Sequence, residues 1–140
     1  MATEWYLQAY ENGKNQLISK DKITFLFGTE IIHKQSKSVD VALPDGDITI
    51  YIGDIEDVVS GLMISRPIKS MYLYKMVYEI MQLGNFIFYA PGGKFPILTN
   101  SNTINEVPIG MLETLGCPKI AHDFKEFVEL LTKLYDKLDP

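Results

Sequence analysis

Residues 38 to 53, SVDVALPDGDITIYIG, carry an aliphatic side chain at nearly every second position on both sides of a Pro-Asp-Gly break. A period of two belongs to the β-strand, where successive side chains leave opposite faces. An Asp45-Gly46 two-residue turn would set Leu43 opposite Ile48, Val41 opposite Ile50 and Val39 opposite Ile52, so one register gathers every aliphatic group on one face. A hairpin with one apolar face needs a cover, and the rest of the chain supplies more strand and helical patterns.

Upstream, EWYLQAYENGK alternates Trp5, Leu7 and Ala9 against Tyr6, Gln8 and Tyr10 and closes on an Asn12-Gly13 turn signal, the pattern of a first strand. KITFLFG (22 to 28) and EIIHKQ (30 to 35) read as further short strands. After Gly53 the apolar spacing lengthens. In DIEDVVSGLM, Asp54 can cap a helix with an acidic first turn while Ile55, Val58, Val59 and Leu62 share a stripe, which predicts a short helix. RPIKSMYLYKMVYEIMQLG places Pro67 near a helix start, Leu73, Met76, Val77, Ile80 and Met81 along one side and Gly84 at the end. This predicts the central buried helix, its apolar surface widened by Tyr72, Tyr74 and Tyr78. A closing helix is predicted from Asp123, with Glu126 three residues on and Phe124, Phe127, Val128, Leu131, Leu134, Tyr135 and Leu138 on one face.

Between those helices, NFIFYAPGGKFPILTN reads as a second hairpin. With Gly92-Gly93 as its turn, Ala90 opposes Phe95 and Phe88 opposes Ile97, and Pro96 is left for an edge or a bulge. A phosphate loop would have to open a helix, whereas FPILT after Lys94 continues as strand.

These patterns predict a single α+β domain over residues 1 to 140, with a mostly antiparallel sheet of about five to seven strands packed against about two to three helices. A chain of 140 residues can build a core without disulfide or metal staples. No linker-like composition, repeat or low-complexity tract divides it.

The chain has 18 acidic and 13 basic residues, a net charge of −5, and Arg66 as its one arginine. That balance argues against nucleic acid, whose phosphates and base edges call for clustered Lys and Arg. It suits a basic protein partner instead. Cys117 is the lone cysteine, so no intrachain disulfide framework exists. MATEWYLQAY lacks the form of a secretory signal and runs such as ITFLF are too short to cross a bilayer, so no membrane partner and a cytoplasmic location are expected.

Candidate chemistry is sparse. Cys117 and His122 lie five residues apart, His33 stands alone, and neither a zinc spacing, GxSxG nor GxGxxG occurs, so no catalytic, cofactor or metal residue is assigned. DGD (45 to 47) and DIED (54 to 57) lack the calcium-loop pattern. Their carboxylates, Asp45, Asp47, Asp54, Glu56 and Asp57, are assigned to partner binding and expected to lie close together on the surface.

A small, acidic α+β chain with a strand-rich front, a central helix, the hairpin NFIFYAPGGKFPILTN and the closing EVPIGMLETLGCPKIAHDFKEFVELL resembles bacterial immunity proteins of polymorphic-toxin and contact-dependent-inhibition systems. The resemblance transfers no individual residue. It implies a protein that binds and neutralises a cognate toxin, for which a basic toxin domain would suit the acidic surface. Two other readings stand beside it: a small enzyme or small-molecule binder with Cys117, His122 or the DGD acids in a pocket, and a homo-oligomer whose exposed Tyr and Phe side chains are subunit contacts.

Overall fold

The first strand becomes the middle of the molecule. The structure, a computed structural model, describes residues 4–28, 31–34, 37–53, 57–93 and 95–138. In chain order its elements are β1 (Glu4–Glu11), β2 (Lys14–Asn15), β3 (Ile18–Ser19), α1 (Lys20–Phe25), β4 (Ile31–Lys34), β5 (Ser38–Leu43), β6 (Gly46–Tyr51), β7 (Val58–Val59), β8 (Gly61–Ser65), α2 (Met71–Met81), β9 (Phe86–Tyr89), β10 (Ile97–Leu98), a 3-10 turn (Ser101–Asn105), α3 (Ile109–Leu115), β11 (Lys119–Ile120) and α4 (Phe124–Leu138). The main sheet runs β11-β10-β9-β1-β8-β6-β5-β4, with β2 folded back on β1. Every pair in it is antiparallel except β10 with β11. The architecture is α+β, as the patterns predict. Of the nine strands of this sheet, β2, β10 and β11 have two residues each, below the length at which alternation can register.

Alternation decides which side of the sheet is buried. Trp5, Leu7 and Ala9 of β1, Leu62 and Ile64 of β8, and Phe86 and Phe88 of β9 all point into one core, closed by Leu73, Val77 and Ile80 of α2 and by Phe127 and Leu131 of α4. Aromatic rings tie the layers together: Trp5 meets Phe88 edge-on at 5.1 Å and Tyr74 at 6.0 Å, and Phe88 meets Phe127 at 6.1 Å. Such pairs add about 0.5–1.5 kcal/mol each beyond the area they bury.

The β5–β6 hairpin forms, with its turn one residue earlier than expected. Leu43 pairs with Gly46, Val41 with Ile48 and Val39 with Ile50, so Pro44-Asp45 is the two-residue turn. Proline holds the first turn position at its fixed φ and glycine follows the turn at φ +151°, which suits this placement better than Asp45-Gly46. The pairing is displaced by two residues, an even number, and so every aliphatic group keeps its face. In the second hairpin Phe88 pairs with Ile97, as expected. Its turn is Pro91-Gly92, closed by the Gly93 N–H on the Ala90 carbonyl at 3.0 Å, with Gly92 at φ +79°. Pro96 sits just ahead of β10 and contributes only its carbonyl, which accepts from the Lys119 N–H at 2.9 Å.

Two expected elements take the other form. Residues 20–25, within and before KITFLFG, are helix α1: Ser19 caps the Lys22 N–H, and Ile23 and Phe27, four apart, are both buried. Residues 57–63 of the expected DIEDVVSGLM helix run instead through β7 and into β8, while Asp54, Ile55 and Glu56 lie outside the described residues. Leu62 and Ile64, two apart, face the core, and β8 bonds to β1 on one side and β6 on the other. A segment that satisfies two open strand edges gains a full set of backbone hydrogen bonds, which overrides its helical spacing.

Helix α2 begins at Met71 with Ser70, three residues after the Pro67 that marks the approach to it, as its cap. The Ser70 hydroxyl accepts from the Leu73 N–H at 3.2 Å and donates to an Asp45 carboxylate oxygen at 2.7 Å, which ties the helix to the hairpin tip. At α4, Asp123 accepts from the Glu126 N–H at 2.8 Å, the cap expected there. Among the described residues no helix is long and apolar enough to cross a membrane.

Two substitutions test this frame. Gly46→Val forces a β-branched residue to φ +151° and brings its Cβ to 2.9 Å from Ile68 Cδ1, so urea unfolding should show a loss of about 1–3 kcal/mol. Ser70→Ala removes both the cap and the tie to Asp45 from a side chain only 1 % exposed, and should cost about 1–2 kcal/mol in the same assay.

Candidate partner-binding face

The outward positions of the same strands divide into two regions. On β9 and β10 they are apolar: Ile87 and Leu98 are fully buried, under Val107 and the inward sides of α3 and the 3-10 turn. The Tyr10 hydroxyl reaches Met111 Sδ at 2.9 Å beneath this cover. Tyr10 and Tyr89 are half-buried at the margin of this cover, and beyond it the outward positions of β8, β6 and β5, among them Met63, Ser65, Asp47, Thr49, Tyr51 and Asp40, are half-buried or exposed.

Strand pairing aligns outward positions into rows that lead from this cover onto the open part of the face. Tyr89 pairs with Tyr6, Tyr6 with Met63, and Met63 with Tyr51, giving one line of large side chains across four strands. The Tyr6 and Tyr89 rings stack at 5.3 Å, and Tyr51 at the far end is 44 % exposed. Burial raises the pKa of Tyr10 and Tyr89, and the neighbouring Tyr10 and Tyr6 add to the rise at Tyr89, so these phenols stay protonated as hydrogen-bond donors. A parallel row holds Glu4, Ser65, Thr49 and Asp40. Within it the Thr49 hydroxyl donates to an Asp40 carboxylate oxygen at 2.8 Å. Asp40, Asp47, Thr49, Ser65 and Arg66 surround a recess of about 240 Å³. Arg66 follows the last residue of β8 at φ +53°, a left-handed conformation uncommon outside glycine.

Of the acids selected from sequence, the three among the described residues occupy different places. Asp47 is exposed on the open face. Asp45 occupies the hairpin turn, its carboxylate engaged by Ser70. Asp57 lies past the opposite end of β6, where its carbonyl accepts from the Lys20 N–H at 2.8 Å. A strand the length of β6 sets Asp45 and Asp57 apart by about 20 Å. Asp54 and Glu56 lie outside the described residues. Glu4 and Asp40, which join Asp47 on the face, were legible as the polar half of the alternation in EWYLQAYE and SVDVAL.

Cys117 and His122 do not meet. The thiol is exposed against the Pro118 carbonyl at 3.9 Å, while His122 is bound to Glu126 through its ring at 2.8 Å and its backbone N–H at 2.7 Å. Those two bonds lower the Glu126 pKa, the backbone N–H most. Among the described residues no cluster of three or more His, Cys, Asp or Glu could hold a metal ion. The side chain of His33 lies outside them.

No protein-family model, curated protein or solved structure matches this chain.

Glu126 gives a pH test. A carboxylate with a lowered folded pKa contributes stability above its unfolded pKa and loses it as pH falls through the folded value. The melting temperature of the parent should therefore fall more steeply than that of Glu126→Gln across this acid range, with the two profiles converging at the acid end. Parallel profiles would show that the His122 contacts do not favour the ionised carboxylate.

Proposed function

We propose that the chain is a protein-binding module of the immunity type, which neutralises a cognate toxin by covering it with the open face of its sheet. The observation that supports this reading is the row Tyr89, Tyr6, Met63 and Tyr51, held side by side by strand pairing and exposed at its Tyr51 end. Aromatic residues and Met are enriched at interface centres, and tyrosine offers broad contact area at low entropic cost. Glu4, Asp40 and Asp47 border the row, so an incoming Lys or Arg finds carboxylates and tyrosine faces together. A basic toxin surface fits that chemistry. The enzyme reading draws less support: Tyr10 and Tyr89 line neither the recess of about 420 Å³ nor that of about 240 Å³, and Glu126, which lines a shallow recess of about 260 Å³ with His122, Glu129 and Lys133, has its carboxylate engaged by His122.

Expression of the protein encoded beside this gene should arrest growth, and co-expression of the chain should restore it. Tyr51→Ala should abolish rescue and weaken the purified complex at least tenfold, about 1.4 kcal/mol, with an unchanged circular dichroism spectrum. Asp47→Lys should slow association at low salt and much less at high salt. A harmless neighbour that forms no complex would overturn the immunity reading, and full rescue by both variants would remove this face from the interface.

A further inference from the structure

On the helical side of the sheet, a recess of about 420 Å³ opens where the end of α1, the β5–β6 tip and α2 meet. Its walls are mostly apolar: Leu26 and Phe27 beyond α1, Leu43 and Pro44 at the hairpin tip, and Tyr72 and Met76 on α2. Phe25, adjacent to Leu26 in the chain, is 82 % exposed, and Tyr72 on the wall is 58 % exposed. An exposed ring on the wall, Tyr72, and a second on α1, the helix that leads into Leu26 and Phe27, leave apolar surface in water around an apolar recess.

The charges on this patch have a particular arrangement. Tyr72, Lys75, Met76 and Glu79 follow the i, i+3, i+4, i+7 spacing of one helix face, and all four line the recess. Lys75 and Glu79 are exposed, and no ion pair joins them to each other or to another of the described residues. Lysine N-terminal to glutamate is the weaker intrahelical orientation, so both charged ends stay available to an outside partner.

We infer that this patch is a contact between two copies of the chain, related by a twofold axis that sets their α2 helices antiparallel. In a twofold contact a surface meets itself, so it must be complementary to itself in shape and charge. Antiparallel α2 helices bring the Lys75 of each copy toward the Glu79 of the other, twice over. Phe25 of each copy fills the recess of its partner, so one patch supplies both the projecting ring and the space for it. With one lysine and one glutamate lining it, the recess is electrically balanced, and the net charge of −5 on each chain is carried elsewhere. The contact lies on the helical side, which leaves the open sheet face of each copy free.

Sedimentation equilibrium of the full chain over a range of concentrations should show a reversible monomer–dimer system. Phe25→Glu and Lys75→Glu should each weaken the dimer at least tenfold. The double variant Lys75→Glu, Glu79→Lys should restore it, because reversed charges still meet their opposites across a twofold axis. All three positions are exposed, so circular dichroism should be unchanged throughout. A parent that stays monomeric, a dimer indifferent to Phe25→Glu, or a double variant as dissociated as Lys75→Glu would each overturn the inference. A monomeric parent whose recess takes up the apolar dye ANS would assign it to a small ligand and overturn the dimer equally.

Discussion

The edge-on contact of Trp5 with Phe88 is the joint on which the rest of this molecule depends. Trp5 stands on β1 and is 1 % exposed; Phe88 stands on β9 and is fully buried. Through Tyr74 the tryptophan engages α2, and through Phe127 the phenylalanine engages α4. One chain of rings thus joins the central strand, its neighbour and both covering helices. Because β1 is bonded on both edges, the placement of Trp5 also fixes which side of every neighbouring strand faces the helices.

From that choice the outer face follows. Side chains that leave β1 opposite to Trp5, Leu7 and Ala9 must share the other surface, and the strands on either side treat that surface differently. Where β9 and β10 present Ile87 and Leu98, the chain returns as α3 to bury them in a second, smaller core. Where β8, β6 and β5 present Met63, Ser65, Thr49, Tyr51 and Asp40, there is too little apolar area to hold a cover, and the tyrosine row runs out from under α3 into the open. The proposed binding surface is thus the remainder of a covering process that stopped where the outward residues became polar.

The acidic residues illustrate how one residue type is used in separate ways. Asp45 lies at the N-terminus of α2, where it accepts from the Ser70 cap and its charge is favoured by the helix dipole. Asp123 caps α4, and Glu126 holds the preceding His122 through two contacts. Asp40, Asp47 and Glu4 remain for the open face. A sequence motif such as DGD therefore mixes a structural carboxylate with a surface one, and only the pairing of β5 with β6 tells Asp45 from Asp47.

The sequence by itself determined the elements whose period extends over enough residues to exclude the alternative. The alternation buries Trp5, Leu7 and Ala9 of β1, Val39 and Val41 of β5 and Ile48 and Ile50 of β6, and the helical stripes bury Leu73, Met76, Val77, Ile80 and Met81 of α2 and Phe127, Leu131 and Leu134 of α4, all of them side chains that the spacing selected. Even the turn misplaced by one residue at Pro44-Asp45 left the faces intact, because a displacement by two preserves parity. Tertiary structure decided the short apolar runs. Ile23 with Phe27 suits a helix and Leu62 with Ile64 suits a strand, yet KITFLFG and DIEDVVSGLM each contain spacings for both, and the open edges of β1 and β6 settled the second case. The candidate face belongs to the same category: Tyr6, Tyr51, Met63 and Tyr89 are far apart in the chain and become one row only through non-local hydrogen bonding between strands, which local spacing does not encode.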